Sequence, residues 1–182
     1  MYFDQPGKVN TVQTLKEAAR RGQELGLEEI VLATTSGDTA YAALELCPGF
    51  TITAVTYHYG FKQPFESVMK DTVRQDLTDK GVRVVAATHA LSGVERGVAK
   101  KHGGVSPVLL MADTLKLFGQ GVKVAVEVAV MAADAGALSG RDVIAIGGSS
   151  KGADAALVIK PAHAASFFDL RIREIVCKPR DF

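Results

Sequence analysis

Cysteine is scarce and unpaired in this chain. Cys47 and Cys177 are the only two, they lie far apart, and neither has a CxxC partner. That excludes a disulfide framework and a cysteine-based zinc site, and both are expected to be reduced thiols. An excess of one charge sign is also missing. Lys and Arg number 21 against 20 Asp and Glu, and no basic run stands out. Nucleic-acid binding rests on concentrated positive charge, so no nucleic-acid partner is expected. No apolar stretch reaches membrane-spanning length without a charge. The opening residues, Met1-Tyr2-Phe3-Asp4-Gln5-Pro6-Gly7, lack an apolar core and are broken by Pro6 and Gly7. They read as neither signal peptide nor membrane anchor, and a cytoplasmic protein with no membrane partner is expected. HExxH, GxxxxGK[ST], GxSxG and GxGxxG are all absent. Their absence removes the common metalloprotease, nucleotide and hydrolase readings, and no metal site is expected.

What remains is an ordinary globular composition. With 182 residues, 47% hydrophobic and 23% charged, the chain fits a single domain over 1–182. The pattern alternates helix and strand. Residues 10–26 read as a helix capped by Asn10 or Thr11, with Val12, Leu15, Ala19 and Leu25 on its apolar side and Gly26 closing it. Ile30-Val31-Leu32-Ala33 is a short buried strand. A helix follows from Asp38 or Thr39 to Leu46, then a strand over 51–56, a helix over roughly 65–80, and a strand over 82–86. Residues 92–101 and 107–118 read as helices. Val122 to Val130 alternates like a strand, yet it continues to Ala135 without a breaker, and Lys123 and Glu127 sit one helical turn apart. A buried helix between Gly121 and Gly136 is therefore expected. Strands over 143–146 and 155–159 are joined by a turn too short for a crossover helix, so they should run antiparallel. A last strand, 171–177, closes the chain, and no internal repeat is visible.

In such sheets ligands bind beyond the carboxyl ends of the strands, near the point where strand order reverses. Four loops fall there. Thr34-Thr35-Ser36-Gly37-Asp38-Thr39 joins the first core strand to a helix. Its hydroxyls, its glycine and the helix's unpaired N–H groups suit a phosphate, although Ser36 or Asp38 serving only as a helix cap would produce the same pattern. Gly147-Gly148-Ser149-Ser150-Lys151-Gly152, continuing to Asp154, is a donor-rich loop that could take an anionic or planar ligand, or simply a solvated hairpin turn. Tyr57-His58-Tyr59-Gly60-Phe61 offers rings for stacking. His89 follows the strand at 82–86 and could donate to a ligand oxygen or act as an acid or base.

The stretch 31–40, with Ile52-Thr53-Ala54-Val55-Thr56 after it, resembles the C-terminal α/β domain of pyruvate kinases, where a Thr-Ser-Gly turn opens a helix and holds a phosphate of the sugar-bisphosphate activator. Residues 88–96 (THALSGVER), 118–123 (FGQGVK) and 151–154 (KGAD) resemble the small stand-alone relatives of that domain in archaea and bacteria. This resemblance implies a three-layer α/β/α sandwich with a mixed, mostly parallel sheet. Its strand order would be 3-2-1-4-5, counting from Ile30–Ala33 as strand 1, with strand 5 antiparallel. It also implies flavin mononucleotide (FMN) as cofactor, with phosphate in the Thr34–Thr39 turn and the flat ring against the other rim loops. Catalysis by phosphoryl transfer is not implied, because pyruvate kinases perform it in a separate barrel domain that 182 residues cannot also contain.

Three functions compete at this point. The chain is an FMN-binding protein with a possible redox role, a non-catalytic sensor of a phosphorylated metabolite, or a structural assembly module. A homo-oligomer, most simply a dimer, is expected, because Arg171-Ile172-Arg173-Glu174-Ile175-Val176 alternates in a strand placed at a sheet edge.

Overall fold

A computed structural model describes all of residues 1–182. Seven strands form one sheet: β1 (Tyr2–Phe3), β2 (Glu29–Ala33), β3 (Thr51–Thr56), β4 (Arg83–Ala86), β5 (Val143–Gly147), β6 (Ala155–Lys160) and β7 (Arg171–Pro179). Their spatial order is β1-β7-β6-β5-β2-β3-β4. Pairing is parallel from β5 through β2 and β3 to β4. β6 is antiparallel to both β5 and β7. The five-strand order read from the sequence is thus present, in the order β4-β3-β2-β5-β6, and is extended by β7 and β1 at one edge.

The chain has six α-helices, four of which pack directly on the sheet. On one face lie α1 (Thr11–Glu24), α2 (Asp38–Leu46) and α3 (Asp71–Asp79), which bury Leu15, Ala18, Ala40, Ala43 and Leu77 against Ile30, Leu32, Ile144 and Ile146. On the other lies α6 (Gln120–Asp134), which buries Val122, Ala125, Val126 and Ala129 against Val31, Val143, Ala145 and Leu157. Side chains alternate across a strand, so Ile30 and Leu32 enter one core while Val31 enters the other. That alternation, with helices on both sides, makes the three-layer sandwich. No helix is long and apolar enough to cross a membrane.

α6 is the expected buried helix, and it is enclosed on nearly every side because α5 (Pro107–Lys116) lies over it. α4 (Val94–His102) contributes no buried residue.

Three expectations are corrected. The helix expected over 65–80 is confined to Asp71–Asp79. Residues 57–70 form an extended loop of turns in which Phe65 has φ 62° and is almost fully exposed. Met69 is buried in the core from this loop rather than from a helix, and the helix begins only where Val73 and Leu77 reach the core. The apolar side of α1 is Leu15, Ala18 and Ala19, not Val12 and Leu25, which stay exposed. The edge expected at β7 is partly covered. Tyr2 and Phe3 pair with Lys178 and Pro179, and the Met1 ammonium donates to the Val176 carbonyl at 2.7 Å. The outer side of residues 171–175 has no strand partner.

Candidate functional site

β3 and β4 lie to one side of β2, and β5 to the other. Strand order therefore reverses between β2 and β5, and the crevice there is bordered by the turns that follow these two strands.

The turn after β2 folds onto itself on its inner side. Thr34 is buried, and its Oγ1 accepts the Gly37 N–H at 3.1 Å. The Thr35 carbonyl accepts the Thr56 hydroxyl at 3.1 Å, which fastens this turn to the end of β3. Gly37 has φ 106°, and a Cβ there would lie 2.6 Å from Val73 Cγ1, so both conformation and space demand glycine. Gly37 is also the residue that caps α2, with no side-chain hydrogen bond. Neither Ser36 nor Asp38 acts as the cap, because their side chains point into solvent. The first turn of α2 is consequently left open. The N–H groups of Asp38, Thr39 and Ala40 have no acceptor in the chain, and the exposed Ser36 hydroxyl makes no hydrogen bond. Thr39 is buried at the same end. Unpaired amides and the positive end of the helix dipole make this an anion-accepting position.

The turn after β5 has the same kind of composition and a different use. A Cβ on Gly147 would lie 2.1 Å from the Gly121 carbonyl oxygen and 2.6 Å from the Ala125 nitrogen, so this glycine lets α6 press against β5. Cβ atoms on Gly148 and Gly152 would meet the Gly152 carbonyl oxygen at 2.1 Å and Thr11 Oγ1 at 2.2 Å. Asp154 is fully buried. Its Oδ2 accepts the N–H of Gly7 at 2.7 Å and of Ser149 at 3.2 Å, while Oδ1 lies beside Gly121 at the amino end of α6 without a partner. A carboxylate from the chain already occupies the place where that helix would favour an anion. Of this loop only Ser150 and Lys151 project fully into solvent.

The aromatic loop after β3 joins the loop after β4. Tyr57 and Phe61 stack in parallel, 3.9 Å apart and 3° from coplanar. His89 lies 5.4 Å from Tyr57, 5.4 Å from His58 and 5.3 Å from Phe61 between ring centres. Tyr59 is not part of this cluster. It is exposed and turns toward α3, where the Arg74 guanidinium lies 5.9 Å from its ring centre.

Beneath His89 are two residues whose charge was read only as a sign of helical spacing. Lys123 and Glu127 are both buried on α6 and form an ion pair through Nζ and Oε2. Glu127 Oε1 accepts the Leu91 N–H at 2.9 Å and so ties down the loop that carries His89. Burial is the main cause holding the His89 pKa below its usual 6.5. The Glu127 charge opposes this, while His58, Lys123 and Arg96 add to it. The sequence did carry a signal. Two charges one turn apart on a helix otherwise made of Val, Ala and Met must either face solvent or be buried together, and a helix this apolar has no solvent face.

The matched sequence profile, described as pyruvate kinase, alpha/beta domain, spans residues 13–159. The chain belongs to this family. The matched span runs from α1 to β6 and so contains all four rim loops, Lys123 and Glu127; β1 and β7 lie outside it. Among solved structures, a pyruvate kinase from Cryptosporidium parvum is similar at 16% identity and a TM-score of 0.45, covering 87% of this chain and 24% of its own. A structure of Cryptosporidium parvum pyruvate kinase in complex with ADP is similar at 18% identity and a TM-score of 0.41, covering 86% of this chain and 24% of its own. The chain thus spans about a quarter of the length of the pyruvate kinases it matches.

Proposed function

We propose that the chain binds flavin mononucleotide at the carboxyl rim of its sheet. The phosphate lies on the amino end of α2, and the ring lies against the loops that carry Tyr57, His58, Phe61 and His89. The observation that carries this reading is the open first turn of α2. Three amides, Asp38, Thr39 and Ala40, have no acceptor, and they stand at the strand-order reversal where α/β sheets take their ligands. The rings follow from adjacency. β3 pairs with β2 and β4 with β3, so the aromatic and His89 loops start one and two strand spacings, about 5 and 10 Å, from the phosphate turn. Ser150 and Lys151 border the same crevice from β5 and can add a donor and a cation. Bound there, the flavin would supply redox chemistry, and the chain would supply binding and electrostatics. The outer side of residues 171–175, which lacks a strand partner, supports a two-fold dimer.

The test compares FMN with riboflavin, which has the same ring and no phosphate. Binding is followed by quenching of flavin fluorescence. Wild type should bind FMN much more tightly than riboflavin, and Ser36→Asp should reduce FMN affinity by roughly 10- to 100-fold, because a carboxylate competes for the same amides and repels the phosphate. Riboflavin binding and the thermal melt should change little, since Ser36 is exposed. Equal affinity of wild type for the two flavins would overturn the reading. A protein stabilised by sugar phosphates and not by FMN would favour a metabolite sensor instead.

A further inference from the structure

The ion pair between Lys123 and Glu127 is not explained by stability alone. Both residues are more than nine-tenths buried, and a buried pair is often no better for folding than apolar residues of the same volume. Their hydrogen-bonding capacities are used very unequally. Glu127 has both oxygens engaged, one by the Leu91 N–H and one by Lys123. The Lys123 ammonium carries three donors and has one partner, Glu127. Two donors of a buried cation are therefore free.

Their location is defined from three sides. The amino end of α6 lies at the carboxyl ends of the strands, where Gly121 presses against Gly147 at the end of β5. Lys123 begins within a turn of that end. Glu127 holds Leu91, two residues beyond His89. His89 in turn feels the charges of Lys123, Glu127 and Arg96 and touches the ring cluster of Tyr57, His58 and Phe61. Lys123 thus lies beneath the loop that carries His89, joined to it through Glu127. The charges around His89 are two fixed cations, Lys123 and Arg96, a second imidazole, His58, and one carboxylate whose oxygens are already engaged.

A cation with free donors at this depth suits an oxygen or ring nitrogen that carries negative charge. Flavin gains such a charge on reduction. Two electrons and one proton convert the oxidised ring to the anionic hydroquinone, with the proton on N5 and the negative charge shared between N1 and the C2 oxygen. We propose that Lys123 contacts the bound flavin, so that the site holds reduced, anionic FMN more tightly than oxidised FMN. The proposal rests on the FMN reading above and adds a redox preference to it.

The experiment measures the affinity of the intact protein for oxidised FMN and, under anaerobic conditions, for FMN reduced by dithionite, using equilibrium dialysis. Wild type is expected to bind the reduced form at least about tenfold more tightly, what remains of a charge contact in a partly buried site once the opposing Glu127 charge is set against it. Lys123→Met alone would leave Glu127 buried and unpaired, so the paired variant Lys123→Met/Glu127→Gln is the informative one. It should lose the preference while keeping its affinity for oxidised FMN within about threefold. Glu127→Gln alone removes the opposing charge but leaves the Lys123 ammonium buried and unpaired, so it should alter the preference, upward where Lys123 keeps its proton and downward where it loses it. Far-UV circular dichroism establishes that each variant is folded, and if the paired variant does not fold, the Glu127→Gln result decides. Equal binding of the two redox forms by wild type, a paired variant that retains the preference, or no change in Glu127→Gln would overturn this inference and leave the FMN reading standing. A wild type that binds neither form would overturn both.

Discussion

The turns after β2 and β5 are made of the same small residues and border one crevice, yet they dispose of their polar groups in opposite ways. After β2, only the inner groups are engaged: Thr34 Oγ1 takes the Gly37 N–H, and the Thr35 carbonyl takes the Thr56 hydroxyl. The outward amides at the start of α2 stay open. After β5, each glycine accommodates a close backbone approach, and the Asp154 carboxylate, held by Gly7 and Ser149, sits at the start of α6. A helix's amino end attracts negative charge in either case. One turn leaves that attraction available to a ligand, whereas the other has a carboxylate of the same chain standing there, with no hydrogen bond to the helix. Glycine content says nothing about which is which. The difference lies in whether an acidic side chain from the same domain reaches the helix.

The comparison is easiest to break at Gly147. Replacing it with alanine places a Cβ against the backbone of Gly121 and Ala125, where no side chain can rotate away. α6 must then move off β5, and stability should fall by about 3 kcal/mol or more in urea denaturation. A loss under about 1 kcal/mol would mean that this turn is not a packing device. Asp154→Asn tests the internal anion. One oxygen remains to accept an N–H, but the charge at the amino end of α6 is gone, and a loss of about 1–3 kcal/mol is expected. An unchanged unfolding midpoint would show that the carboxylate is not needed there. Ser36→Ala should be the mildest. The hydroxyl is exposed and makes no hydrogen bond within the chain, so stability should stay within about 0.5 kcal/mol of wild type. A larger drop would show that the turn after β2 also serves the fold.

The layers were legible from sequence because they rest on local signals. Short β-branched runs marked β2 to β5, the short turn after β5 marked the antiparallel β6, and the Lys123–Glu127 spacing identified α6 as a helix despite its strand-like alternation. What the sequence did not convey was partnership. The same two charges gave the element and its burial, but not that Glu127 accepts the Leu91 N–H and so fastens the loop that carries His89. β1 is two residues long and exists only because β7 offers an edge, so no local pattern could mark it. The helix expected from about residue 65 starts only at Asp71, and Phe65, in the loop before it, is among the most exposed side chains in the chain. At the rim, residue types did not show that Gly37 rather than Ser36 or Asp38 caps α2.

α4 buries none of its nine residues; Val94 and Val98 are 78% and 53% exposed. It is suspended between the loop that Glu127 anchors at Leu91 and the amino end of α5, with light packing against α5. Detaching it exposes little new apolar surface, so it can open while the sheet stays intact. It also carries adjacent basic residues, Lys100 and Lys101, both in the open. In a limited digest, trypsin should therefore cut here first and release no small fragment. The two halves would remain together, since β2, β3 and β4 come from one side of the cut and β5 and β6 from the other, and β2 pairs with β5 in the middle of the sheet.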